Sequence, residues 1–386
     1  MNFLDLLLII LAILAAIGGW KLGFLRRLSG WLGAAVGLGL AILVLPELTN
    51  RLGTVSDVTI LAVGAAVLVV MASIGHGLGS VLGSRLRLGV DSTAGRTVDA
   101  IGGAALGVFG VVVLVWLVVP VMADTAGWPS AAARGSTIIR ALSDHLPNPP
   151  SQITELEREL TGGEFPQVFA GLREAPELPP PPAGSPIGEE LLRQTSASTV
   201  QLRAAACDRI QSGSGFFVAD QLVATNAHVV AGSTRLSVVT TDGEERDGRV
   251  VAFDPDLDLA LVSTSMDRPV LPLAEPVVGD VGLVMGFPGG GPFEPSPFQV
   301  GERLSATGFD IYEQGLVERD LLVLSSELAP GDSGSAVLRD DGSVIGVAMA
   351  IAPDRAGVAY ALTSTELTDL IGRSTLEPVG TGACQN

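Results

Sequence analysis

Gly331-Asp332-Ser333-Gly334-Ser335 decides how the C-terminal half of this chain folds, once it is read with two segments upstream of it. Thr225-Asn226-Ala227-His228-Val229-Val230 puts a histidine just after a strand pattern. Asp254-Pro255-Asp256-Leu257-Asp258-Leu259-Ala260-Leu261-Val262 puts an aspartate directly before another. A serine hydroxyl is a poor nucleophile unless a base takes its proton and a third group orients that base. Histidine, aspartate and serine in this chain order, each at a strand end, supply those parts. Glycine on both sides of Ser333 permits a tight turn. There the amides of Gly331 and Ser333 can point together at a developing oxyanion, a contribution of roughly 3–4 kcal/mol per donor. Asp258 is the expected orienter because it abuts the apolar run, where it would be partly buried and fixed. Asp254 and Asp256 flank Pro255 in the turn and compete for the role. Glu327, six residues before Ser333, is a candidate floor for a pocket selecting basic side chains; a carboxylate turned to solvent is the competing reading.

Working outward from these segments, the chain from Ser198 onward alternates short apolar runs with turns. Val200–Arg203, Gly215–Val218, Leu236–Thr240, Arg249–Phe253, Leu259–Val262, Leu283–Met285, Leu321–Ser325, Ser335–Arg339, Val344–Ala348 and Gly357–Ala361 read as strands. Asp242-Gly243 and Asp341-Gly342 mark hairpin turns. Only Ser364–Gly372 looks helical. About a dozen strands fit an all-β domain of two packed β-barrels.

The first 123 residues read differently. Four apolar stretches, Phe3–Trp20, Leu28–Leu45, Val58–Leu82 and Ala100–Met122, are each long enough to cross a bilayer as a helix. The basic residues of the first stretch follow its apolar run, which argues against a signal peptide. Glycines at 33, 37 and 39, and again at 102, 103, 107 and 110, suit close helix packing in a four-helix bundle. Lys21, Arg26 and Arg27 in the first loop, and Arg85, Arg87 and Arg96 in the third, outweigh Arg51 in the second. Loops one and three are therefore expected in the cytoplasm, with both termini and everything after Met122 outside. His76 lies in a glycine-rich run of the third stretch and is expected to be a neutral histidine bonded to a neighbour.

Between the halves, residues 124–197 read as a connector. A charged helical window over Ser151–Leu160 precedes Pro176-Glu-Leu-Pro-Pro-Pro-Pro-Ala-Gly-Ser-Pro186, a polyproline spacer expected to hold the following domain off the membrane. This stretch and Gly162-Gly163 are expected to be mobile and open to proteolysis, self-cleavage included. His145 is assigned no role.

Composition supports the division. Of the 386 residues 47% are hydrophobic and only 17% charged, where soluble domains average roughly 25% charged. Residues 1–123 carry seven basic and five acidic residues, for +2; the remainder of the chain carries −20 of the total −18. Nothing there neutralises phosphate, so no nucleic-acid partner is expected. Neither a metal nor a cofactor is expected. Cys207 and Cys384 are too few for a zinc cluster, but both lie in the half placed outside the cytoplasm, where a pair is expected to be bridged.

The segments Thr225–Val230, Asp254–Val262 and Gly331–Ser335 resemble those of trypsin-like serine proteases, and of their HtrA-like branch in particular. The first 123 residues resemble the CvpA (colicin V production) family. Together the chain resembles the membrane-anchored, periplasmic MarP-type serine proteases of actinobacteria. The resemblance implies a chymotrypsin-like double barrel with His228 as base, Asp258 as orienter and Ser333 as nucleophile. It also implies a role in acid and envelope stress, with an envelope protein such as a cell-wall hydrolase as substrate. Four positions depart from the pattern. Asp332 stands where HtrA-like enzymes carry asparagine, and no activation site near Gln201 offers it an amine. Ser335-Ala336 replaces Gly-Pro, and Met349 stands where digestive proteases have a serine. A transporter or channel bundle with a catalytically silent sensor domain is the alternative; the scarcity of intramembrane charges weighs against it.

Overall fold

The computed structural model describes residues 1–51, 57–89, 92–147, 168–207 and 209–384. It contains two compact units, one of Met1–Val118 with Ser136–Leu142 and one of Val119–Gly135 with Ser143–Asn386.

In the first unit, helices α1 (Phe3–Leu22), α2 (Phe24–Arg51), α3 (Asp57–Leu88) and α4 (Thr93–Asp124) contain the four apolar stretches. Each has a segment long and apolar enough to span a membrane. The glycines act as expected where helices meet. A Cβ on Gly33 or Gly37 would collide with the carbonyls of Gly75 or Met71, and one on Gly103 or Gly107 with those of Gly19 or Ala15. Gly39 faces open space and serves no such contact. At one end of the bundle Arg87 pairs with buried Asp99 at 2.8 Å while donating to the carbonyls of Lys21 and Leu22. Asp99 also accepts the Leu25 amide at 2.9 Å, so one ion pair closes the break between α1 and α2. Fully buried Asp5 is satisfied by Ser136 Oγ and the Ile138 amide, at the start of the short helix α5 (Thr137–Ser143). Among the described residues His76 has Ser80 Oγ, at 3.4 Å, as its side-chain partner.

The second unit holds two closed antiparallel barrels. The strands of the first are β1 (Thr199–Ala206), β2 (Arg209–Ala219), β3 (Leu222–Thr225), β4 (Ser233–Thr240), β5 (Glu245–Asp254) and β6 (Leu259–Thr264), in the order β1-β2-β3-β6-β5-β4. Those of the second are β7 (Val281–Gly286), β8 (Glu294–Phe309), β9 (Leu316–Ser325), β10 (Ala336–Arg339), β11 (Val344–Ile351) and β12 (Val358–Thr363), in the order β10-β11-β12-β9-β8-β7. Each barrel has its own apolar filling, including Leu202, Phe217 and Val262 in the first and Phe298, Leu322 and Ile345 in the second. A third cluster, with Phe216, Leu259 and Leu261 beside Met285, Leu321 and Val323, seals the two together. The all-β expectation holds. Strand β8 carries no sequence signal because Pro295, Pro297, Gly301, Glu302 and Arg303 interrupt its alternation. It is nevertheless paired along both edges, to β7 and to β9.

The spacer at Pro176–Pro186 does not stand free. Val168, Ala175 and Ile187 are buried in the cluster between the barrels. The Ala175 amide donates to Asp354 Oδ2 at 2.9 Å, Ser325 Oγ to the Pro179 carbonyl at 2.5 Å, and Leu178 fills the space beside Gly301. An extended proline-rich strand leaves its carbonyls and alternate side chains free for such partners, which explains why it lies down on a barrel. Nor is the stretch after α4 a bare linker: the Gly127 amide donates to the Pro353 carbonyl at 2.9 Å. Arg134 binds the Ala123 carbonyl and the Asp124 carboxylate. The window Ser151–Leu160 and Gly162-Gly163 lie outside the described residues.

Candidate active site

His228 sits on a one-turn helix, Ala227–Val230, that follows β3 directly. Its Nδ1 lies 2.8 Å from Asp258 Oδ2, and its backbone amide donates to Asp258 Oδ1 at 2.8 Å. Asp258 is completely buried and adopts φ +59°, a left-handed conformation that costs a non-glycine residue about 1–3 kcal/mol unless its surroundings impose it. Here Asn226 Nδ2 donates to the Asp258 carbonyl at 2.8 Å, fixing the backbone while the carboxylate grips the histidine. A carboxylate facing Nδ1 keeps the proton on that nitrogen and leaves Nε2 as the acceptor. Asp254 does other work: its Oδ1 accepts the amides of Asp256 and Leu257, closing the turn. Asp256 turns its side chain to solvent. Of the three competing aspartates, Asp258 is the one joined to His228.

Ser333 is carried by the turn between β9 and β10, and its carbonyl accepts the Ser214 amide of β2 at 2.8 Å. Gly334, at φ +86°, permits the approach: a Cβ there would strike the Ser214 carbonyl and Thr225 Oγ1. The serine turn is thus seated against the residues that lead into His228. Gly331, at φ +99°, presents its carbonyl to Ser214 Oγ at 2.7 Å. Among the described residues the amides of Gly331 and Ser333 donate to nothing, as an oxyanion pocket requires. Ser214, whose Oγ also accepts the Phe287 amide at 3.0 Å, and Asn226 were not singled out by sequence reasoning. The Asn before Ala-His is a local signal that could have found the second; Ser214 has none.

Asp332 finds a partner that sequence reasoning could not name. Its Oδ2 accepts the Ala329 amide at 2.9 Å, and the carboxyl is packed over Gly286, where any side chain would strike it. Burial, with a smaller push from Glu294, raises its pKa to about 6 from an ordinary value of 3.8. The folded protein therefore binds more protons than the unfolded chain between pH 3.8 and 6, so this group's contribution to stability falls as pH rises through that window. Asp332→Asn keeps an acceptor for Ala329 and removes the buried charge. It is expected to be more stable than wild type above pH 6, by on the order of 2–3 kcal/mol. Melting curves from pH 4 to pH 8 test this: the variant should lose the decline, and two parallel profiles would show the carboxyl to be inert.

Glu327, the candidate pocket floor, is exposed. Met349 is buried, 1% exposed. Cys207 and Cys384 form the expected disulfide, with Cα atoms 5.8 Å apart. Gly232, four residues after His228, lies against both cysteines and donates its amide to the Thr381 carbonyl at 2.9 Å.

Twin antiparallel barrels with a serine turn seated beside a buried aspartate–histidine pair define a trypsin-like serine peptidase. Comparison with known proteins agrees. The trypsin-like peptidase domain family matches residues 213–347, and the Colicin V production protein family residues 4–147. Serine protease Rv3671c of Mycobacterium tuberculosis is 28% identical over 399 residues, covering 99% of this chain and 98% of the relative. The crystal structure of the Rv3671c protease in its active form superposes with a TM-score of 0.50 at 33% identity, covering 56% of this chain and all of that one. The putative serine protease HhoA of Synechocystis is 32% identical over 160 residues, 39% of each chain. The chain belongs to the Rv3671c family of serine proteases, with a CvpA-like N-terminal domain ahead of the trypsin-like peptidase domain.

Proposed function

We propose that this serine protease is a membrane-tethered endopeptidase working through an acyl-enzyme. Ser333 is the nucleophile, His228 the general base and then acid, Asp258 the orienter, and the amides of Gly331 and Ser333 the oxyanion donors. The observation that carries this is the doubly bonded His228–Asp258 pair, 2.8 Å at each contact, beside the glycine-flanked Ser333 turn. Nε2 takes the serine proton as Oγ attacks the scissile carbonyl, and returns it to the leaving amine. A protein substrate suits the surroundings. Strand β11 outruns its pairing with β10 at Val347, and Ala350 and Ile351 pair with β12 alone among the described residues. An extended peptide can lie along that edge. A fluorophosphonate probe should label wild-type protein at Ser333 and leave Ser333→Ala unlabelled; labelling of the alanine variant would place the nucleophile elsewhere.

The same reading puts the protease outside the cytoplasm, on the strength of the basic residues in the first and third membrane loops. A reporter that matures only outside the cytoplasm, fused after Asp124, should be active, and a cytoplasmic reporter at that site silent. The reverse pattern would invert the topology. A role in acid and envelope stress, with cell-wall hydrolases among the substrates, is supported by the family resemblance. Loss of survival at acidic pH in a deletion strain, restored by wild type and not by Ser333→Ala, tests it. Self-cleavage ahead of the barrels belongs to the same proposal, and identical fragment patterns from wild type and Ser333→Ala would exclude it.

A further inference from the structure

Arg319 is the most buried arginine among the described residues, 2% exposed, yet it lies on β9 of the second barrel opposite Ala306 of β8. No carboxylate stands within ion-pair distance of it among the described residues. Its Nε donates to the carbonyl of Asp256 at 2.8 Å, and its Nη2 to the carbonyl of Phe309 at 2.8 Å. Gly308 makes the room: a Cβ there would come within 3.1 Å of the guanidinium. A cation buried without a counter-ion is costly, and both partners here are backbone oxygens. One of these belongs to the turn that carries Asp258.

That turn is held from three sides. The Ile311 amide, in the loop after β8, donates to the Pro255 carbonyl at 3.1 Å. Arg373, on the C-terminal helix Ser364–Arg373, reaches Asp254 Oδ2 at 2.9 Å from a largely exposed position. Arg319 grips the Asp256 carbonyl from inside. Two residues later the backbone must enter the left-handed conformation of Asp258, and the residues beyond pair with β3 and β5 of the first barrel. The turn is therefore a hinge between barrels, and among the described residues its one buried charged anchor comes from the barrel that also supplies Ser333.

We propose that Arg319 is a positioning residue for the reaction: it pins the Asp254–Asp258 turn to the second barrel, so that the carboxylate holding His228 keeps its place relative to Ser333. This rests on the catalytic reading given above. The electrostatics agree. Burial lowers the arginine's pKa, while Asp258, Asp310, Asp256 and Asp254 act to raise it. The charged groups around the guanidinium are thus aspartates of the turn and of the loop after β8, with Arg373 engaged on Asp254.

The test is kinetic, on the full chain in detergent, with a fluorogenic peptide cleaved by wild type and a fluorophosphonate probe. Arg319→Met should lower kcat roughly 10- to 100-fold, the scale of a misplaced catalytic group. KM should stay within about twofold, since no substrate contact is removed. In an Asp258→Asn background the same change should cost less than about twofold, because the interaction it serves is already gone. Arg319→Lys, which keeps the charge but cannot hold both carbonyls, should fall between wild type and Arg319→Met. It also answers the question if the methionine variant does not fold. Wild-type kcat in Arg319→Lys, a rise in KM with kcat unchanged, or equal losses in both backgrounds would each overturn the proposal. Full activity of Asp258→Asn alone, or probe labelling away from Ser333, would instead overturn the catalytic reading on which it rests.

Discussion

Ser333→Ala and His228→Ala should each lower kcat on the order of 10⁶-fold, and Asp258→Asn about 10⁴-fold, with the barrels still folded and KM little changed. The expectation for Asp258→Asn follows from the two contacts of its carboxylate. Oδ1 accepts the backbone amide of His228, and Oδ2 faces Nδ1. An asparagine would give its carbonyl to the backbone amide and turn its NH₂ toward Nδ1. That nitrogen would then have to accept, which puts the ring proton on Nε2 and leaves no base for Ser333. Combining all three changes should cost no more than Ser333→Ala alone, because the residues act as one unit. Steady-state kinetics on each variant, with circular dichroism to establish folding, provides the check. Full activity in Asp258→Asn together with loss in Asp256→Asn would reassign the orienter.

Breaking the disulfide should have the largest effect on stability. The bridge closes a loop of 177 residues, for which chain entropy alone gives about 5 kcal/mol; real bridges often deliver less, so several kcal/mol is the expected loss in Cys207→Ser. At this domain size that corresponds to a melting point lower by roughly 10 °C. More than one crosslink is at stake. The tail before Cys384 is laid across both barrels: the Val379 amide donates to the Val250 carbonyl, the Thr381 carbonyl accepts the Gly232 amide, and Tyr312 Oη donates to the Ala383 carbonyl. Freeing it loosens the segment that follows His228, so activity should fall as well. Cys384→Ser and the double variant should match Cys207→Ser, since all three remove the same bond. An unchanged melting temperature would make the bridge structurally idle.

How much of this was legible in the sequence depended on whether the deciding signal was local. Ser333 and His228 announce themselves through neighbours in the chain: glycine on each side of one, and Asn-Ala before the other. Asp258 could be preferred over Asp254 and Asp256 because burial follows from the apolar run that begins at Leu259. Its left-handed backbone and its double grip on His228 could not be read, since both depend on Asn226 and on the turn's anchors in the other barrel. Arg319 gave no signal for the same reason: its partners are carbonyls, which any residue supplies. Asp332 looked unpartnered because only side-chain chemistry can be matched in a sequence, and its partner is the Ala329 amide. The membrane helices were clear from apolar length alone, yet nothing local distinguished Gly33, which touches a neighbouring backbone, from Gly39, which does not. The polyproline stretch misled because its composition describes a free chain. Its docking is decided by isolated anchors such as Leu178 and Ile187.

The path of the chain through the disulfide has a consequence for biosynthesis. Each barrel is made from one continuous run, Thr199–Thr264 for the first and Val281–Thr363 for the second. The first can therefore close while the second is still on the ribosome, since domains fold as units with the N-terminal one leading. Cys207 belongs to that early barrel, but its partner is made 177 residues later. At ordinary elongation rates the thiol waits roughly 9–35 s in an otherwise finished barrel. Throughout that interval the early barrel lacks the tail that will lie beside Gly232. The bond from the turn after β1 to Cys384 is thus closed late in synthesis: a chain broken off between the second barrel and Cys384 can fold its histidine-bearing barrel but cannot lock it.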